Sequence, residues 1–172
     1  MDIRNIDANL ERVAADFHQL VDSATGTELR AKTNGTKWTN KQLLFHMLFG
    51  FLLVRALLVL VKSFARLPDA VSAAFAAVLN AGTRPFHVIN FLSALPGGRV
   101  LRVRTMGRLM DNTIRHLRAR LERESSHTLA RTMHFPTGWD PYFKDVMTVA
   151  EVYDYPTKHY DHHRRQLTTR RP

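Results

Sequence analysis

The chain has 172 residues, 45% of them hydrophobic, with 8 Gly and 7 Pro; this composition excludes disordered, collagen-like and fibrous proteins and supports one hydrophobic core. Zero cysteines exclude disulfides, thiolate zinc sites and any enzyme whose nucleophile is its own sulfur, so thiol chemistry requires a borrowed thiol. The net charge of +10 points to anionic partners as a class, nucleic acid included, without naming one.

The first turns carry Asp2, Arg4 and Asp7 and no apolar stretch ending in small residues. No signal peptide is read there, and a cytoplasmic location is expected. From Ile6 the apolar positions fall at Leu10, Val13, Phe17, Leu20 and Ala24, steps of three and four that put one stripe on one face. They predict a first helix to about Leu29. After a polar stretch with Gly26, Asn34 and Gly35, Thr39-Asn40-Lys41-Gln42 reads as a capping box that opens a second helix. That helix is apolar nearly all round through Leu43, Leu44, Leu48, Leu52, Leu57, Leu58 and Val61, as suits a central helix packed on several sides. Residues 43–61 are also just long enough to span a membrane. Arg55 near their middle and the polar faces of the other helices oppose this, so a membrane role is not expected.

Residues 67–104 are less regular. An alanine-rich piece from Asp69 to Asn80, a break at Gly82 to Pro85, an apolar stretch to Leu95 and a turn at Pro96-Gly97-Gly98 predict a crossover with short helices. A third helix follows from about Arg104, its seam set by Met106, Met110, Leu117 and Leu121, and it fades near Ser125. A loop with His134, Pro136, Gly138, Trp139 and Pro141 comes next. Thr148 and Glu151 form a second capping box, opening a last helix in which Pro156 predicts either a kink or a later start. Four long helices, one long connection and no strand pattern predict an all-α fold. The expected architecture is a four-helix bundle with a long crossover between the second and third helices, as one domain over residues 1–172. The arginines from Arg99 to Arg123, and Arg164, Arg165, Arg170 and Arg171, lack interleaved aromatics and read as solvated helix faces.

Of nine histidines, three are placed to converge. His159 and His163 are four residues apart on one helix, with Cβ atoms about 5–6 Å from each other, near enough to share one metal ion. His46 emerges from an apolar helix, where a neutral imidazole needs a partner. The competing reading is a core histidine bonded to a carbonyl, beside an exposed basic cluster of His159, His162 and His163. Spacing alone leaves His162 or His163 open. His18, His116 and His127 fall on polar surfaces, and His87 and His134 in connections where either can line a cleft.

Trp38-Thr39 opening a helix, Leu43-Leu44-x-His46 after it, and His159-x-x-x-His163-x-x-Gln166-Leu167 at the end resemble the DinB/YfiT-like metalloprotein family over nearly the whole chain. The resemblance implies a four-helix bundle, commonly a homodimer, in which His46, His159 and His163 bind one divalent ion such as zinc or nickel. It thereby selects His163 over His162. It further implies a metal-dependent enzyme acting on a small molecule: a transferase or isomerase using a thiol such as mycothiol or bacillithiol, or a hydrolase. Three imidazoles leave such an ion an open position, the arrangement of catalytic sites. Glu151, Asp154, Asp161 and Gln166 are available to orient a ring, and the sequence does not choose among them. The alternative function is a non-enzymatic basic helical protein that binds nucleic acid through its phosphates.

Overall fold

Asp2 caps the first helix by accepting the Arg4 backbone N–H at 3.0 Å, and the predicted stripe of Ile6, Leu10, Val13, Phe17 and Leu20 is buried. In this computed structural model, which describes residues 2–169, that helix is α1 (Ile3–Ser23). It stops six residues short of the expected Leu29. Thr25 and Glu28 form a capping box that ends the run and starts a separate short helix, α2 (Gly26–Arg30). Helix α3 (Asn40–Phe64) opens on the Thr39/Gln42 box as expected.

The connection is more helical than its composition indicates, comprising α4 (Asp69–Ala81) and α5 (Thr83–Val100). The turn expected at Pro96-Gly97-Gly98 is absent, because α5 continues through it. The glycines there serve close packing on α3. A Cβ on Gly98 would come within 2.8 Å of the Gln42 Cα, and one on Gly97 would enter the Phe45 ring. Gly98→Ala is expected to cost about 1–3 kcal/mol, because backbone rather than a movable side chain blocks the added carbon. Urea denaturation of the variant checks this, and an unchanged midpoint would count against the close approach.

Helices α6 (Val103–Leu121) and α7 (Ser126–Ala130) follow, then strands β1 (Thr132–His134) and β2 (Val146–Thr148), then α8 (Val149–Arg164). The two strands pair antiparallel with Met133 opposite Met147, so the fold is mostly helical with one small sheet rather than purely helical. Strands of three residues are too short to show an alternating pattern, which is why none is legible. Their pairing draws together the ends of the 135–145 loop. Helix α8 begins on the Thr148/Glu151 box and runs through Pro156.

Helix α1 packs on α6 and α8, and α3 packs on α5, α6 and α8, so α3 and α8 share the core. Leu43, Leu44, Met47, Leu48 and Phe51 of α3 are fully buried there, with Tyr153 and Tyr160 of α8. Among the described residues α3 alone is long and apolar enough to cross a membrane. Buried Asn40 sets the ends of α3 and α8 side by side. Its Nδ2 donates to the Glu28 carbonyl and to Thr168 Oγ1, both at 2.8 Å, while its Oδ1 accepts the Thr168 N–H at 3.0 Å. Several basic groups are paired rather than free: Arg118 with Asp7, Arg12 with Asp161, Arg164 with Asp16. Arg170 and Arg171 lie outside the described residues.

Candidate metal centre

His46 lies two turns into α3, His159 and His163 lie on the last two turns of α8, and the packing of these helices brings the rings together. Ring centroids are 5.0 Å apart for His46 and His159, 4.8 Å for His46 and His163, and 4.5 Å for His159 and His163. One nitrogen from each ring fits within 4.8 Å of the others. Gly50, one turn after His46, makes the approach possible: a Cβ there would stand 3.2 Å from His159 Nδ1. Trp38 lies against His46 with centroids 4.6 Å apart and planes tilted by 35°, stacks on Phe91 at 5.6 Å, and donates its indole N–H to the Phe91 carbonyl at 3.3 Å.

All three rings are held neutral. Burial, followed by the nearby His163, pushes His46 down to about 3 from an ordinary 6.5. Burial lowers His159 well below the usual range, with His46 and His163 adding to the effect. Burial lowers His163 too, against an opposing hydrogen bond to Gln166. That bond, 2.7 Å from His163 Nδ1 to Gln166 Oε1, puts the ring proton on Nδ1 and leaves Nε2 with its lone pair. Gln166 is thus the ring-orienting group among the four candidates. Glu151 caps α8 and meets Lys144, Asp154 meets Lys158, and Asp161 meets Arg12.

The Nδ1 atoms of His46 and His159 are buried with no hydrogen-bond partner. The competing reading expected a carbonyl partner for His46 and an exposed His159, whereas His46 Nδ1 has no partner and His159 is buried. Three converging neutral imidazoles, two of them with unpartnered buried nitrogens, suit a divalent cation of borderline softness. The sequence profile of the DinB superfamily matches residues 9–167. The chain belongs to the DinB superfamily. No curated protein and no solved structure matches it.

Other histidines of this DinB-superfamily chain sit elsewhere. His162, one residue from the cluster, turns to the Tyr142 hydroxyl at 3.3 Å and to Gln166 Nε2 at 3.4 Å. His18, His87, His116 and His127 are exposed. Of the two connection histidines open to lining a cleft, His134 lines a cavity and is held between Asp145 at 3.0 Å and Asp69 at 3.2 Å. These two carboxylates raise its pKa, Asp145 first.

Asp140 escaped the sequence reading. It stands in the loop between the strands with Oδ2 3.7 Å from His159 Nε2. The Tyr155 hydroxyl donates to Oδ2 at 2.9 Å and the Tyr142 N–H donates to Oδ1 at 2.8 Å, fixing the carboxylate beside the cluster. Burial and this carboxylate keep the Tyr155 phenol protonated. No spacing signals Asp140, because the loop reaches α8 only through tertiary packing.

Proposed function

We propose that this DinB-superfamily protein binds one divalent metal ion, zinc or nickel, through His46, His159 and His163, and uses it in catalysis on a small molecule. The carrying observation is the convergence of three neutral imidazoles, two of them with orphaned buried Nδ1 atoms. Bound at three nitrogens, such an ion supplies Lewis acidity and activates a water or a thiol at its remaining position. The chain's own groups do the rest. Gln166 fixes the tautomer of His163, Trp38 covers one side of His46, and Asp140 lies beside His159 as an acceptor for a proton or a polar substrate group.

The reaction class follows the superfamily resemblance: transfer or isomerisation with a low-molecular-weight thiol such as mycothiol or bacillithiol, or hydrolysis. With no cysteine in the chain, no internal thiolate competes for the ion. The same proposal takes helices α1, α3, α6 and α8 as a four-helix bundle, with α4 and α5 as its crossover, in a cytoplasmic homodimer. Metal analysis by mass spectrometry on tag-free protein tests it. About one ion per chain is expected in the wild type, with loss in His46→Ala and His163→Ala. No bound ion after zinc or nickel is added back would overturn the reading.

A further inference from the structure

Beside the three histidines lies a cavity of about 290 Å³, near the lower size of small-molecule sites. It runs between α3, α4, α5 and the 135–143 loop, and its floor reaches His46, Gly50 and His159. Its walls are hydrocarbon and aromatic: Leu57 and Leu60 of α3, Phe75 of α4, Phe86 of α5, Trp139 and Phe143 of the loop. Leu57 and Leu60 remain 40% and 42% exposed. The apolar excess that makes α3 look like a membrane span is thus partly spent on lining this space.

The walls are built rather than incidental. Trp139 stacks on Phe86 with centroids 3.9 Å apart and planes at 7°, and its indole N–H donates to the Leu79 carbonyl at 2.9 Å. The Gly138 N–H donates to Asn80 Oδ1 at 3.1 Å, tying the loop to the end of α4. A cavity of this size left without a ligand is destabilising, and a fixed roof prevents its collapse.

Charge then decides the class of ligand. The chain carries 25 lysines and arginines, yet among the described residues none lines this cavity. Asp140 is the carboxylate in its wall. An anionic ligand would face the Asp140 carboxylate with no lysine or arginine in the walls, and the basic His134 there is already held between Asp69 and Asp145. We propose that the cavity binds an uncharged, apolar small molecule, held with its reacting group toward His46, His159 and Asp140. The position of the reacting group rests on the metal-centre reading, whereas the ligand's class rests on the walls alone. A polar thiol co-substrate would then reach the histidines from outside this cavity.

The test uses the full chain and N-phenyl-1-naphthylamine, a neutral apolar dye that brightens in apolar sites. Metal content is measured on the same samples. Saturable binding is expected, and in chelator-treated protein, where no ion can ligate a carboxylate, dodecan-1-ol is expected to displace the dye at least about tenfold better than dodecanoate at about pH 8, where the carboxylate is ionised. Leu57→Trp and Leu60→Trp, which fill the space from half-exposed positions, are each expected to weaken dye binding by about tenfold or more with circular dichroism unchanged. His163→Ala lies outside the wall and is expected to lose metal while keeping the dye. Absence of saturable binding, equal competition by alcohol and carboxylate, or full binding in both folded Trp variants would overturn the inference. Dye binding without metal in the wild type would overturn the metal reading alone, and metal without dye binding would overturn the cavity reading alone.

Discussion

In metal-free protein, resistance to urea is expected to fall steeply as pH drops below about 6.5, and His46→Leu is expected to remove much of that dependence. The His46 imidazole is pushed down to about 3 in the fold and titrates near 6.5 when exposed. Between those values the unfolded chain binds a proton that the folded chain refuses, so stability is lost as pH falls. Each pH unit is worth about 1.4 kcal/mol, so His46 by itself withdraws on the order of 3 kcal/mol by about pH 4. His159 and His163, lowered in the same direction, add to the loss. For a domain with about 5–15 kcal/mol in total, that is enough to unfold much of the population. His134 acts with the opposite sign. Its raised pKa gives stability that is fully present below its unfolded value and lost as pH rises through the folded one. Urea midpoints with chelator present, from about pH 7 to about pH 4, read the effect. Parallel profiles for wild type and His46→Leu would show that the cluster is not buried as described.

Lys62→Met is expected to destabilise the fold by about 3 kcal/mol, at the far end of α3 from the histidines. Lys62 Nζ donates to both Glu124 oxygens, at 2.7 and 2.9 Å, and the Tyr153 hydroxyl donates to Oε1 at 3.0 Å. The Glu124 side chain is only 7% exposed, so removing the ammonium strands a buried carboxylate. Burial, together with this carboxylate, already raises the Tyr153 phenol, which therefore stays a donor. The pair and Tyr153 join α3, the chain after α6, and α8; α3 and α8 carry the three clustered histidines toward their other ends. The double variant Lys62→Met/Glu124→Gln removes the charge yet keeps an acceptor for Tyr153. It is expected to recover about 2 kcal/mol of the loss. A double variant no more stable than Lys62→Met would mean that the cost lies in packing around the lysine stem rather than in the stranded charge.

What the sequence determined by itself was local. The starts of α3 and α8 were legible because the Thr39/Gln42 and Thr148/Glu151 boxes act within four residues of chain. Thr25 and Glu28 carry the same signal, and recognising it would have ended α1 at the right place. The stripes of α1 and α6 were legible because burial on one face imposes the helical period. His46 stood out because an imidazole on an apolar helix needs a partner, and His159 because a second histidine follows it one turn later, with only the family resemblance choosing His163 over His162.

Tertiary structure decided whatever depended on partners distant in the chain. Pro96-Gly97-Gly98 carries the local signature of a turn, but Gly98 answers to the Gln42 backbone of another helix, and close packing kept the segment helical. The β1/β2 pair needs both strands to exist at all, so neither triplet announces itself alone. The choice of His163 over His162 depends on the side of α8 that meets α3, a matter of packing that an i+3 or i+4 step does not resolve. Asp140 and the apolar cavity are wholly tertiary. A loop aspartate has no periodicity, and a space between helices is written in no segment, since only the assembled walls exclude charge from it.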